Sequence, residues 1–81
     1  MPTPQTCLEL LRGMVAIDSV NATISRRPHP EAALAAYLAN VAGAWGLSAA
    51  LLPVGSEGSA NLLITHEVAA GAPWLLFESH L

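Results

Sequence analysis

The stretch that decides the fold runs from residue 30 to residue 46 and reads PEAALAAYLANVAGAWG. Its larger side chains recur at helical spacing with alanines between them, on one stripe made of Leu34, Tyr37, Leu38, Val41, Ala42 and Trp45. Glu31 stands in the first turn, where a negative charge complements the positive end of the helix dipole. Gly46 stands where a left-handed residue commonly ends a helix. The sequence therefore predicts a helix over residues 30–45.

A second helix is predicted upstream, over residues 4–16. Thr3 followed by Pro4 is typical of an N-cap and a first helical residue, because proline has no N–H to leave unpaired there. The apolar residues that follow recur at helical spacing: Cys7, Leu8, Leu11, Met14 and Val15. A single cysteine cannot form an internal disulfide, and its position in this stripe predicts a small core residue rather than a nucleophile. Residues 21–30 are polar and proline-containing, which predicts a loop.

Downstream of the central helix the hydrophobic period changes to that of strands. Residues 47–54 and 61–66 predict two strands, and the short, turn-prone link between them predicts an antiparallel hairpin. Residues 74–78 (Trp-Leu-Leu-Phe-Glu) are a continuous apolar run, the pattern of a strand buried on both faces. We expect Trp45 and Trp74 to make core or helix–sheet contacts. The predicted fold class is α/β, with two helices packed on a strand hairpin plus a third buried strand.

Composition narrows the classes of protein to which the chain can belong. Its 81 residues and 8.4 kDa allow one small domain. Hydrophobic residues make up 53% and charged residues 11%, which excludes a disordered charged tail. A net charge of −3 with three basic residues predicts no nucleic-acid partner. No apolar run approaches about 20 residues and no secretory signal is visible, so we expect no membrane partner and a cytoplasmic location.

The C-terminal residues are the candidate functional site. In open α/β sheets, ligands and catalytic groups gather just beyond the carboxyl ends of strands. His80 stands there, directly after the predicted buried strand, and the chain stops one residue later at Leu81. We therefore expect the chain to stop in the middle of a site. A metal ligand would be found at this position, but a histidine taken by itself is more often structural or solvated, so from the residues alone both interpretations of His80 stay open. His29, between two prolines in a loop, and His66, at a strand end beside Glu67, are predicted to be solvated. The three histidines lack close metal-site spacing, so we expect no separate zinc site made of histidines alone.

Four stretches carry a resemblance that covers nearly the whole chain. They are an opening helix with an I-x-S-V-N turn (residues 10–21), a second helix (residues 31–47), an N-L strand (residues 60–63) and a strand leading toward an H-x-D motif (residues 75–81). In this order they resemble the N-terminal segment of the zinc-dependent aminoacylase, acetylornithine deacetylase, succinyl-diaminopimelate desuccinylase and glutamate carboxypeptidase family. No single stretch is specific, and the resemblance depends on the collinear set.

The resemblance implies a function and a metal. Members of the family hydrolyse amide bonds of N-acyl amino acids or small peptides at a site with two zinc ions. Carried over, His80 is a zinc ligand and Leu81 is the variable middle residue of the H-x-D motif, whose aspartate would come next. The bridging aspartate, the general-base glutamate, the further ligands and a dimerisation domain would all lie downstream. Residues 1–81 are then the N-terminal part of a metallopeptidase catalytic domain with a larger mixed sheet, truncated after the histidine.

Under this interpretation, the fragment itself lacks the residues that the family's reaction needs. No catalytic residue of the family lies within the chain, so we expect it to be inactive and to bind zinc weakly at most. Its partners would be the missing rest of the catalytic domain and, in the parent enzyme, an N-acyl amino acid or peptide substrate.

The chain also departs from the family pattern. Ser79 replaces a common Gly, Ala22 replaces the proline of a common Asn-Pro, and Ser59 replaces a common Arg.

A second hypothesis belongs to a different class. The chain would be a self-standing small α/β module that acts by self-association or protein binding. The apolar fraction is high for a small chain without a disulfide, which is consistent with association through apolar faces. A sheet with free strand edges also favours association, so we expect a homo-oligomer under either hypothesis.

Overall fold

The computed structural model describes residues 3–19, 31–54 and 59–81. The elements in chain order are α1 (Cys7–Val15), α2 (Ala32–Ala44), β1 (Ser48–Val54) and β2 (Ser59–Thr65). The prediction of a small α/β fold with two helices and a hairpin is confirmed. The predicted loop over residues 21–30, with His29 in it, lies outside the described residues.

Helix α1 begins one turn later than predicted. The Thr6 side-chain oxygen accepts a hydrogen bond from the Glu9 backbone N–H at 3.1 Å, and the Glu9 carboxylate accepts one from the Thr6 N–H at 3.0 Å. This reciprocal pair is a capping box, which satisfies two N–H groups at the start of the helix. The predicted start at Thr3 and Pro4 is therefore wrong. Pro4 is instead buried, and its carbonyl accepts a hydrogen bond from the indole Nε1 of Trp45 at 3.0 Å.

Helix α2 carries the core. It agrees with the predicted helix to within two residues at each end, and Gly46 follows it with a φ of +82°, the left-handed conformation predicted there. The buried hydrophobic residues of the described chain all belong to this helix: Leu34, Ala35, Val41 and Ala42. Helix α1 packs against α2, and α2 packs against both strands. The other elements are therefore assembled around α2.

The two strands form the predicted antiparallel hairpin. Their register pairs Ser48 with Thr65, Leu51 with Leu62 and Val54 with Ser59. Directly opposite residues share a face, and successive residues alternate between faces. One face therefore carries Ala49, Leu51, Leu62 and Ile64, and the other carries Ala50, Leu52, Asn61 and Leu63. Both faces are largely apolar and all these residues except half-buried Leu62 are exposed, so α2 covers only part of the sheet.

The predicted third strand is not formed. Residues 72–81 adopt neither helix nor strand, and the sheet of the described residues has two strands. The apolar run is exposed, by 65% at Trp74 and 85% at Phe77. A strand buried on both faces needs a hydrogen-bonded neighbour and a covering layer on each side. The described residues supply neither to this run.

Two further burial predictions are wrong for the same reason. Helix α1 has no buried residue and Cys7 is exposed. Among the described elements α1 packs against α2 alone, so most of the surface of α1 stays uncovered. Trp45 makes its hydrogen bond to Pro4 but stays 44% exposed, and Trp74 lies in the exposed run. Helical spacing predicted which side chains share a face, but it did not predict how much of that face would be covered.

Candidate functional site

The predicted metal ligand lies on the surface. His80 is exposed at the end of the segment without regular structure, and its neighbours Glu78 and Ser79 are exposed as well. His66 is exposed just after β2, as predicted. Within residues 3–19, 31–54 and 59–81, no group of three or more His, Cys, Asp or Glu side chains could hold a metal ion. The described part of the chain therefore does not assemble a metal site around His80.

The donor set can be compared with what zinc requires. Catalytic zinc takes three protein ligands and keeps one position open for water. His80 offers one imidazole nitrogen. A zinc site that includes His80 would therefore need ligands from polypeptide other than these described residues.

A shallow apolar groove lies between the two helices. It has a volume of about 520 Å³ and is lined by Leu11, Met14, Val15, Ala16, Ile17, Asp18, Ser19 and Leu34. No sequence pattern indicated this groove, although its polar residues Asp18 and Ser19 belong to the I-x-S-V-N turn. Its lining contains no histidine or cysteine, so it has no ligand set of the kind that zinc prefers.

The most unusual feature of the chain is the large area of its surface that is accessible to solvent. The chain exposes 6347 Å², whereas a compact folded chain of this mass exposes about 4,600 Å². Its radius of gyration is 14.0 Å, compared with about 11.7 Å expected for this length. The exposed apolar side chains include Leu51, Leu52, Leu63 and Ile64 of the hairpin and the whole run 74–77. Such a surface is typical of a protein that packs against further polypeptide.

The strand edges are uncovered as well. Among the described residues, β1 and β2 pair only with each other, so each strand leaves one edge of backbone N–H and C=O groups unpaired. Natural proteins commonly protect such edges with charged residues, prolines or bulges. Neither strand contains a charged residue, and Pro53 in β1 is the only proline in the pair. Within residues 3–19, 31–54 and 59–81, the outer edge of β2 is therefore open to another strand.

Comparison of the chain with protein-family models, with curated proteins and with solved structures finds no match. Within the described residues, no helix combines the length and the hydrophobicity needed to cross a bilayer. The functional assignment therefore depends on the quoted sequence stretches and on the surfaces described above.

Proposed function

We propose that residues 1–81 are the N-terminal part of the catalytic domain of a di-zinc amidohydrolase or peptidase. The parent enzyme hydrolyses amide bonds of N-acyl amino acids or small peptides. The observation that carries this proposal is the apolar run of residues 75–77 leading directly into Glu78, Ser79 and His80. This run stands in the family's order behind the I-x-S-V-N turn, the second helix and the N-L strand.

The uncovered surface supports the proposal. A piece of a larger mixed sheet is expected to expose apolar side chains on both sheet faces, because the layers that cover them belong to the rest of the domain. Leu51 and Leu52 are adjacent and therefore lie on opposite faces, and both are exposed. In the parent enzyme, residues 74–78 form the third strand, buried between layers supplied by the remaining domain.

His80 has one role in this proposal, as a zinc ligand. It would bind through a neutral imidazole nitrogen, while the other ring nitrogen donates to an orienting acceptor. The metal, when bound, would lower the pKa of a water molecule and polarise the substrate carbonyl. Because one ligand cannot hold a catalytic zinc ion, the 81-residue chain is expected to bind zinc weakly and to hydrolyse no N-acyl amino acid.

The test starts from the product of the natural gene. Its intact mass is expected to be several times 8.4 kDa, and the purified protein is expected to contain zinc and to hydrolyse an N-acyl amino acid or a dipeptide. His80→Ala should remove most of the bound zinc and the activity. His66→Ala is the matched control, because His66 is an exposed histidine outside the H-x-D motif, and it should leave both unchanged. A long product that holds no zinc, or equal effects of the two variants, would contradict the proposal.

A second candidate function is a self-standing interaction module. The free edge of β2 and the exposed apolar residues favour it, since both are surfaces that bind protein. A natural product of 8.4 kDa without hydrolytic activity would select this candidate and reject the enzyme.

A further inference from the structure

We propose that a second copy of this chain pairs with the free edge of β2. The two β2 strands run antiparallel, and the two hairpins become one four-stranded sheet in the order β1, β2, β2 and β1. The proposal concerns the 81-residue chain and does not depend on the zinc hydrolase assignment.

The choice of β2 rather than β1 follows from proline. Proline has no N–H to donate to a neighbouring strand, so within sheets it is confined to edge strands, first positions and bulges. Pro53 stands inside β1, opposite Ala60 of β2. This makes β1 the natural outer strand of the sheet. Strand β2 has no proline and no charge along its seven residues, so its outer edge can accept a complete partner strand.

The partner is a second copy for two reasons. The apolar run 74–77 of the same chain does not occupy the β2 edge in the structure, although it follows that strand in sequence. A second β2 strand also offers the same row of unpaired groups, so one two-fold axis satisfies both edges and closes the assembly at two chains. With full overlap of the strands, Leu62 faces its own copy, and Leu63 faces Asn61 of the second copy.

The exposed area fits a dimer. The chain exposes roughly 1,700 Å² more than a compact chain of its mass. A stable interface of standard size covers about 800 Å² on each partner. The excess is a total for the whole chain, to which the run 74–77 also contributes, and it exceeds what one such interface needs.

The test compares one substitution in the two strands. Leu63 in β2 and Leu52 in β1 lie on the same sheet face and are 42% and 46% exposed, so they form a matched pair. Sedimentation equilibrium over a concentration series should show a dimer of the unmodified chain. Leu63→Lys should raise the dimer dissociation constant roughly tenfold or more, because the two introduced charges lie diagonally across the new strand pair. Leu52→Lys, one strand further away, should change it by less than about threefold.

A second variant keeps the test informative if Leu63→Lys fails to fold. Asn61 is exposed and already polar, and it lies on the same face of β2. Asn61→Lys should therefore keep the strand signal in circular dichroism and still weaken the dimer. A monomer at every concentration would overturn the proposal, as would an open-ended series of larger assemblies. Equal weakening by the variants in β1 and β2 would also overturn it, because a sheet face would then carry the contact.

Discussion

Helix α2 and the run 74–77 are both strongly apolar, and they have opposite environments. The helix contributes the buried hydrophobic residues of the described structure, Leu34, Ala35, Val41 and Ala42. The run consists of Trp, Leu, Leu and Phe, which are larger side chains than most of those in the helix, yet each is at least 65% exposed. Hydrophobicity alone therefore does not decide which region becomes core in this molecule.

The difference comes from what each region needs in order to be buried. A helix makes its backbone hydrogen bonds within itself, so α2 needs only side-chain neighbours, and α1 and the hairpin provide them. A strand must find its hydrogen bonds on another strand before its side chains can be buried at low cost. The run 74–77 has no such strand among the described residues. It is available for burial once another strand pairs with it.

The substitution with the largest expected effect on the free energy of unfolding tests this difference directly. Leu34→Ala removes a buried side chain from α2 and should lower the free energy of unfolding by about 2–5 kcal/mol. Phe77→Ala removes a larger side chain from the exposed run and should change it by less than about 0.5 kcal/mol. Urea unfolding followed by circular dichroism measures both. All variants should be compared at one protein concentration, because association makes apparent stability depend on concentration.

A comparable loss in Phe77→Ala would break the comparison between the two regions. It would mean that the run is buried in solution, either against its own sheet or in an oligomer. Repeating the measurement at a lower protein concentration separates these cases, because only the oligomeric contribution decreases on dilution.

Local signals in the sequence predicted much of the fold. The left-handed residue Gly46, which follows the C-cap Trp45, marked the end of α2, and the turn-prone link between residues 54 and 59 marked the hairpin. The prediction placed the start of α1 at Thr3 and Pro4 and overlooked the spacing of Thr6 and Glu9, which forms the capping box. Both patterns are local, and only the second provides two reciprocal hydrogen bonds.

Burial was less predictable because it depends on distant parts of the chain. The stripe containing Cys7 is helical as predicted, but it is exposed because α2 is the one described element that α1 contacts. The same reason applies to the candidate site. The sequence selected His80 by its position after an apolar run, whereas a metal site also requires two or more further donors brought together by tertiary structure. The described residues do not bring them together.

Two glycine substitutions with smaller expected effects on the free energy of unfolding test how closely α1 lies against α2. A Cβ placed on Gly13 of α1 would meet the hydroxyl of Tyr37 in α2 and lie 2.9 Å from its Cζ atom. Gly13→Ala should therefore lower the free energy of unfolding by about 1 kcal/mol, because overpacking of this kind outweighs the gain in helix propensity. Gly43 of α2 has no atom within 4 Å of the corresponding position, so Gly43→Ala should raise the stability by roughly 0.5–1 kcal/mol.

Opposite signs for the two glycine variants would establish that the helices touch at Gly13. Tyr37→Phe in the Gly13→Ala background should recover part of the loss, because it removes the hydroxyl that the new methyl group meets. A stabilising Gly13→Ala would show that α1 does not pack against α2 as described.

A single hydrogen bond distinguishes the two tryptophans, one at the end of α2 and one in the exposed run. Trp45→Phe removes the Nε1 donor of the 3.0 Å bond to the Pro4 carbonyl, which ties the start of the chain to the end of α2. The free energy of unfolding should fall by about 1 kcal/mol, the usual net contribution of one hydrogen bond. Trp74→Phe should leave it within about 0.5 kcal/mol, since Trp74 is 65% exposed.

Each variant keeps one tryptophan, so its fluorescence reports one region: emission from Trp45 should shift to longer wavelength on unfolding, and emission from Trp74 should change little. Equal stability of the two variants would mean that the hydrogen bond to the Pro4 carbonyl adds nothing measurable to the free energy of unfolding.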